Sequence, residues 1–375
     1  MSAANAAAFA RETIGGRMSA CGATSGFDYM RICLALAVLS WHAVPITQGR
    51  EAADALLDGL LGPPVRLILP MFFALSGFLV TASLFRTPSI RVFLLFRALR
   101  IGPALAVEVA LSALLLGPLF TTLALGTYFT APDFFRYFTN AVGIVNYELP
   151  GVFADHPVTA VNGGLWTVPY ELECYIALTV LYLLSFMRRP YFLLGATLAG
   201  GFVVGAMSFM PAISALGAEG ANPFNYQNAL DASVQPRRIL VLSFLAGAVV
   251  YLFRERLTLN PLYAALAVVL GLALLTSPFL YGFAPLPIAY ATVYLGLLNP
   301  PRHKLVLSGD YSYGVYLYAF PIQQMVYALG PGQSALANAA LSTLAAALFA
   351  VFSWRLIERP ALALRKRFTP KPGPA

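Results

Sequence analysis

Three ionisable side chains fall where an apolar chain has least use for them. FDYMRICLALAVLSWH, Phe27 to His42, is almost wholly apolar, yet it carries Arg31 near one end and His42 at the other. NGGLWTVPYELECY, Asn162 to Tyr175, opens a second apolar run with Glu171 and Glu173 inside it. An imidazole takes and returns a proton near neutral pH. A guanidinium fork matches phosphate oxygens, and a carboxylate bonded to an imidazole fixes its tautomer and supports the imidazolium. On a helix, Arg31 and His42 share a face and are separated by a rise of about 16 Å. Ala35 and Val38 lie between them on that face, leaving a narrow slot. Glu171 and Glu173 point to nearly opposite sides, so they are not a paired-carboxylate device, and at most one shares a cavity with His42.

Each group also has a plainer reading. An arginine near a helix end can snorkel to the interface, and a histidine in a span can bond a neighbouring polar group. Glu171 serves equally well as the ion partner of an arginine. Ionisable groups deep in a span are costly and by default functional candidates, but the segment by itself does not choose between these readings. In RTPSIRVFLLFRALRIGP, Arg97 and Arg100 are three apart and share a helix face. With Arg86 and Arg91 they either hold a polyanion or anchor the chain at the cytoplasmic interface. Ser76 and Gly77 in PMFFALSGFLV permit close helix packing. Glu108 reads as structural, and His156 and His303 as solvent-facing loop residues. The three histidines lack the tight spacings of a metal site, and Cys21, Cys33 and Cys174 show no paired spacing.

The elements that must position these groups are membrane helices. Only 11% of the residues are charged and 59% are apolar, against roughly a quarter charged in soluble domains. Apolar runs repeatedly approach the roughly 20 residues a bilayer needs. Ten spans can be drawn, at 28–47, 64–85, 102–125, 166–187, 190–210, 238–254, 260–278, 282–299, 311–330 and 335–356. The expected class is therefore all-α, a polytopic integral membrane protein of about ten transmembrane helices. Of the 24 Lys and Arg residues, 19 fall on one side of this topology, leaving Arg50, Arg66, Arg136, Arg237 and Arg238 on the other. Both termini are thus expected in the cytoplasm. The formal charge of +8 is spread in twos and threes with no basic stripe interleaved with aromatics, which gives nucleic-acid binding no support. Residues 1–26 read as a flexible cytoplasmic tail without the apolar core of a signal peptide. Residues 27–360 form the membrane domain, and 361–375 a basic cytoplasmic tail. Long outer loops are expected at 126–165 and 211–237.

Taken in order, these stretches resemble the membrane-bound acyltransferase family 3, ten-helix O-acyltransferases of bacterial surface glycans and their eukaryotic relatives. The family's first span carries an arginine, ten residues and a histidine, as Arg31 and His42 do. FFALSGF matches its Ser-Gly-Phe segment, and Arg97 and Arg100 match its R-x-x-R pair. LPGVF, VNGGLWTVPYELECY, GDYSYGVYLYAFPIQQ and FSWRLIERP are similar to its later motifs. Many members place a histidine where this chain has Ala319, which leaves His42 as the only histidine within a span.

The resemblance implies an acyltransferase domain in the cell inner membrane, moving an acyl group, most often acetyl, from cytoplasmic acyl-CoA to a hydroxyl of a cell-envelope or exported glycan. It implies acetyl-CoA as donor and no metal. Arg97 and Arg100 would hold the CoA phosphates, with Ser76 also at the donor. Arg31 would guide the pantetheine arm or polarise the thioester carbonyl. His42, with Glu171 as a possible partner, would be the base or would first take the acyl group itself. The alternative is a proton-coupled transporter or exporter of a sugar or lipid-linked precursor using His42, Glu108 and Glu171 as a relay. Many transporters are built from repeated halves with broken helices, and no such repeat is visible here.

Overall fold

The structure, a computed structural model, describes residues 12–22, 24–215, 238–277, 279–304 and 308–368. Helices occupy all ten expected spans: Ser25–Gln48 (α2), Gly62–Arg86 (α3), Ile90–Leu111 (α4), Val168–Leu183 (α5), Pro190–Ala215 (α6), Arg238–Leu252 (α7), Pro261–Leu275 (α8), Pro285–Leu297 (α9), Ser312–Leu329 (α10) and Ala335–Ser353 (α11). Six of them, taken with the turns that continue some, are long and apolar enough to cross a bilayer. Helices α7 and α8 are apolar but shorter. Among the described residues the only strand-like pairings are two isolated bridges. The protein is an all-α, multi-pass membrane protein.

Of the loose tail expected over 1–26, residues 1–11 lie outside the described residues, and Ile14–Cys21 form a helix (α1) where a flexible segment was expected. Thr13 caps it, accepting from Gly16 N at 3.0 Å. The Ile14 amide donates to Leu257 O at 2.9 Å, and Leu259 N to Glu12 O at 2.8 Å. Ile14 is fully buried. A segment this short and glycine-rich has no helical stability of its own; docking supplies it. Of the loop expected at 211–237, residues 211–215 continue α6 and 216–237 lie outside the described residues, as does the tail end at 369–375.

The chain forms two compact units. The first comprises Met1–Leu34, Asp54–Phe85 and Glu173–Lys304. Its core gathers Phe27, Leu34, Leu75, Phe78, Val250, Val293 and Leu297. Here α3 and α7 meet backbone to backbone: a Cβ at Gly77 would strike the Phe244 carbonyl, and one at Gly247 that of Ala74. Small residues do what they do in membrane bundles generally, where van der Waals contact replaces the hydrophobic effect.

The second unit comprises Ala35–Ala53, Arg86–Leu172 and Leu305–Ala375. Helix α4 starts at the Ser89 cap, whose hydroxyl accepts from Val92 N at 3.3 Å. The helix thus begins twelve residues before the span expected at 102, and the R-x-x-R pair lies within it. Helix α4 then passes into a π-helical turn at Ser112–Leu116 and ends at Phe120. The long loop that follows is built, with short helices at Leu125–Thr130 and Pro132–Tyr137. Tyr128 OH donates to Ala113 O at 2.7 Å, within the π turn. Buried Asn140 donates to Tyr137 O and Asn146 O and accepts from Asn146 N, each at 2.8 Å.

Candidate active site

His42 lies on α2, with Ala35 and Val38 buried along the same face. Its side chain is 6% exposed, and the Phe320 ring meets it edge-on, centroids 5.1 Å apart. Among the described residues the imidazole makes no hydrogen bond; that ring contact is its specific interaction. With no neighbour bonded to it, the imidazole does not fit the plain reading of a packing histidine bonded to a neighbour. Helix α10 grips α2 one turn earlier as well: Gln323 Nε2 donates to Leu39 O at 2.8 Å. Gln323 Oε1 is buried without a partner. Ile46, one turn after His42, joins Phe320, Val158 and Ala160 in a small apolar cluster.

Gly163 also packs against Phe320: a side chain there would run into its ring. Gly163 follows Asn162, the cap of the turn Gly163–Thr167. Proline cannot donate, so Pro321 in α10 leaves the Leu317 carbonyl without its helical partner. Asn162 Nδ2 takes that place, donating to Leu317 O at 3.1 Å, and also donates to Glu108 Oε1 at 2.9 Å. Its Oδ1 accepts from Gly164 N at 3.1 Å. Glu108, 1% exposed, receives a second bond on Oε1 from Ser112 Oγ at 2.8 Å. Glu108 Oε2 is buried and unpartnered. The residue read as structural is thus tied through Asn162 to the turn that backs Phe320.

Arg100 has both arms of its guanidinium engaged. Nη1 lies 2.9 Å from Glu358 Oε2 and Nη2 2.8 Å from Asp310 Oδ2. Its cation sits 5.3 Å from the Tyr313 ring centroid. Ser353 Oγ donates to Glu358 Oε1 at 2.9 Å, and Ser312 Oγ to Asp310 Oδ1 at 2.9 Å. Three sequence motifs, R-x-x-R, GDYSYG and RLIERP, thus converge on one ion cluster. Arg97, half-buried, lies with its cation 5.8 Å from the Phe93 ring centroid.

Glu171, half-buried in the first turn of α5, is within electrostatic reach of Arg100 and Tyr316 and makes no hydrogen bond to His42. Glu173 is exposed. Arg31 is half-buried at the other end of the His42 face of α2, and Ser76 is half-buried on α3 beside Gly77. His303 is exposed. His156 is half-buried and bonded, Nδ1 to Gln324 Oε1 at 2.9 Å. Among the described residues no three His, Cys, Asp or Glu side chains gather as a metal site. Local spacing points to no active part for Glu358, Asp310, Asn162 and His156: their partners lie far along the chain, as with the 258 and 210 residues that separate Arg100 from Glu358 and Asp310.

Comparison with known proteins bears on what this arrangement does. The chain is 30% identical over 375 residues to nodulation protein 10 of Rhizobium leguminosarum bv. viciae, an alignment covering 92% of this chain and 95% of that protein. It is 26% identical over 359 residues to an O-acetyl transferase of Shigella phage Sf6, covering 92% of this chain and 97% of the phage protein. No solved structure matches. A family model described as an acyltransferase domain, that of acyltransferase family 3, matches residues 24–357, and the chain belongs to that family.

Proposed function

We propose that this protein is an integral-membrane O-acetyltransferase of the cell inner membrane that moves acetyl from acetyl-CoA to a hydroxyl of a cell-envelope or exported glycan. The observation that carries the reading is His42, buried in a membrane helix with no hydrogen-bond partner among the described residues. An imidazole left unengaged in such a place is matched to a group that arrives with the substrate. In the proposed step His42 removes the proton of the acceptor hydroxyl as the oxygen attacks the thioester carbon. The C–S bond breaks, and the proton leaves on the CoA thiol.

Arg97 takes a phosphate of CoA, for which a guanidinium fork is suited. Arg100, held by Asp310 and Glu358, positions that stretch of α4 and is itself approached by the charge of Glu171. Arg31, on the His42 face of the same helix, guides the pantetheine arm or polarises the thioester carbonyl. Ser76 is assigned to the donor by its FFALSGF segment. The similarity to the phage O-acetyl transferase supports acetyl as the transferred group.

The test uses full-length protein in detergent with acetyl-CoA labelled in the acetyl group and a panel of methyl glycosides as acceptors. Label is expected in a glycoside ester, and His42→Ala is expected to abolish it while the protein remains folded in the membrane fraction. Transfer at the normal rate by His42→Ala overturns the assignment.

A further inference from the structure

We infer that His156 is an acceptor-binding residue, and that its Nε2 receives a hydrogen bond from a second hydroxyl of a sugar acceptor. The inference rests on the acetyl-transfer reading above and names a further contact of that site.

The argument begins with Gln324, which is fully buried. Its Nε2 faces two backbone carbonyls, Val158 O and Ala160 O, each at 2.6 Å. Carbonyl oxygens only accept, so the orientation of this amide is fixed, and Oε1 is the atom turned to His156. Oε1 also only accepts. The His156 nitrogen 2.9 Å away, Nδ1, must therefore carry the proton. In the neutral imidazole this leaves the lone pair on Nε2, which has no partner among the described residues.

The ring is held from two further sides. Phe153 stacks on it, centroids 4.7 Å apart at 28°, and Tyr327 meets it edge-on at 4.9 Å. Phe153 has φ 55, a left-handed backbone that a phenylalanine rarely adopts. Strain of that kind persists where the surroundings over-determine it and clusters at binding sites. The result is a half-buried imidazole of set tautomer and set orientation, presenting one acceptor atom.

Helix α10 relates this atom to His42. Phe320 touches His42 and Tyr327 touches His156. The two contact residues are seven apart on one face of α10, two turns or about 10 Å along its axis. A simple alcohol that reacts at His42 has nothing to offer His156, whereas a glycan carries several hydroxyls. The proposed acceptor is accordingly a polyhydroxylated molecule bound at two points.

Asparagine and glutamine separate this role from a structural one. Asn at 156 places an N–H where Nδ1 was, keeping the bond to Gln324, and removes the outer acceptor. Gln places an oxygen near the Nε2 position and gives up the bond to Gln324. Steady-state transfer to the best-accepted methyl glycoside is measured for both variants. His156→Asn is expected to raise KM for the glycoside about tenfold, a loss of about 1.4 kcal/mol, with KM for acetyl-CoA unchanged. His156→Gln is expected to recover most of the glycoside KM. The assignment is overturned if His156→Asn matches the unsubstituted protein, if both KM values rise together, or if His156→Gln is the more impaired variant. Absence of transfer by the unsubstituted protein overturns the acetyl-transfer reading as well. Transfer indifferent to His156→Asn removes the His156 assignment alone.

Discussion

Arg100 Nη1 sits 2.9 Å from Glu358 Oε2 across 258 residues of chain, while its other arm reaches Asp310. This clamp ties α4 to the two ends of the α10–α11 hairpin. Removing one partner of a buried pair leaves the other charge uncompensated, at a cost of about 3 kcal/mol. Glu358→Gln and Arg100→Lys should both lower the thermal midpoint in detergent, because an ammonium cannot serve two carboxylates as a guanidinium does. A midpoint unchanged in both variants contradicts the clamp.

Arg97→Ala should do the reverse. Losing a charge-assisted phosphate contact is worth about 2 kcal/mol, which is on the order of a thirtyfold rise in KM for acetyl-CoA. The thermal midpoint should barely move. An unchanged KM would make Arg97 an interfacial anchor and nothing more.

Asn162 serves two donors to two acceptors. Asn162→Leu strands the Leu317 carbonyl and withdraws one bond from Glu108, each orphan costing about 1–3 kcal/mol. Asn162→Asp should be worse, since a second carboxylate would face Glu108 in the same dry place. Differential scanning of the two variants in detergent checks the order. An aspartate variant as stable as the leucine variant would show that Glu108 is not facing it.

Tyr128 pins the loop helix Leu125–Thr130 to the π turn of α4. Burial pushes its phenol up to about 12, from an ordinary value of 10. The folded-state value is the raised one, so its contribution is fully present below pH 10 and is lost as pH climbs towards 12. Tyr128→Phe should speed amide exchange in 125–130 at neutral pH. The unsubstituted protein should show that loosening only in strong alkali. Identical exchange in the two proteins at neutral pH would count against the pin.

Much of this was legible in the sequence, and the limits have physical causes. Apolar runs of bilayer length announced the helices, and three-residue spacing put Arg97 and Arg100 on one face. Spacing is local, however. It could not show that Arg100 spends its fork on Asp310 and Glu358, nor that Asn162 would stand in for the donor Pro321 lacks. By sequence His156 is a solvent-facing loop residue, because the groups that orient it, Gln324 and the Val158 and Ala160 carbonyls, meet only in three dimensions. The helix at Ile14–Cys21 was missed because its stability comes from the Leu257–Leu259 backbone and not from its own residues.

The carbonyl freed by Pro321 bears on how this protein enters the bilayer. Taken alone, α10 would present Leu317 O to hydrocarbon, where an unsatisfied backbone group costs several kcal/mol. Asn162 belongs to a different, earlier part of the chain, so the defect is mended only when α10 meets the turn at Gly163–Thr167. Insertion of this helix and the tertiary assembly of its unit are therefore one event. A truncated chain that lacks Asn162 should leave α10 poorly inserted, however apolar its sequence.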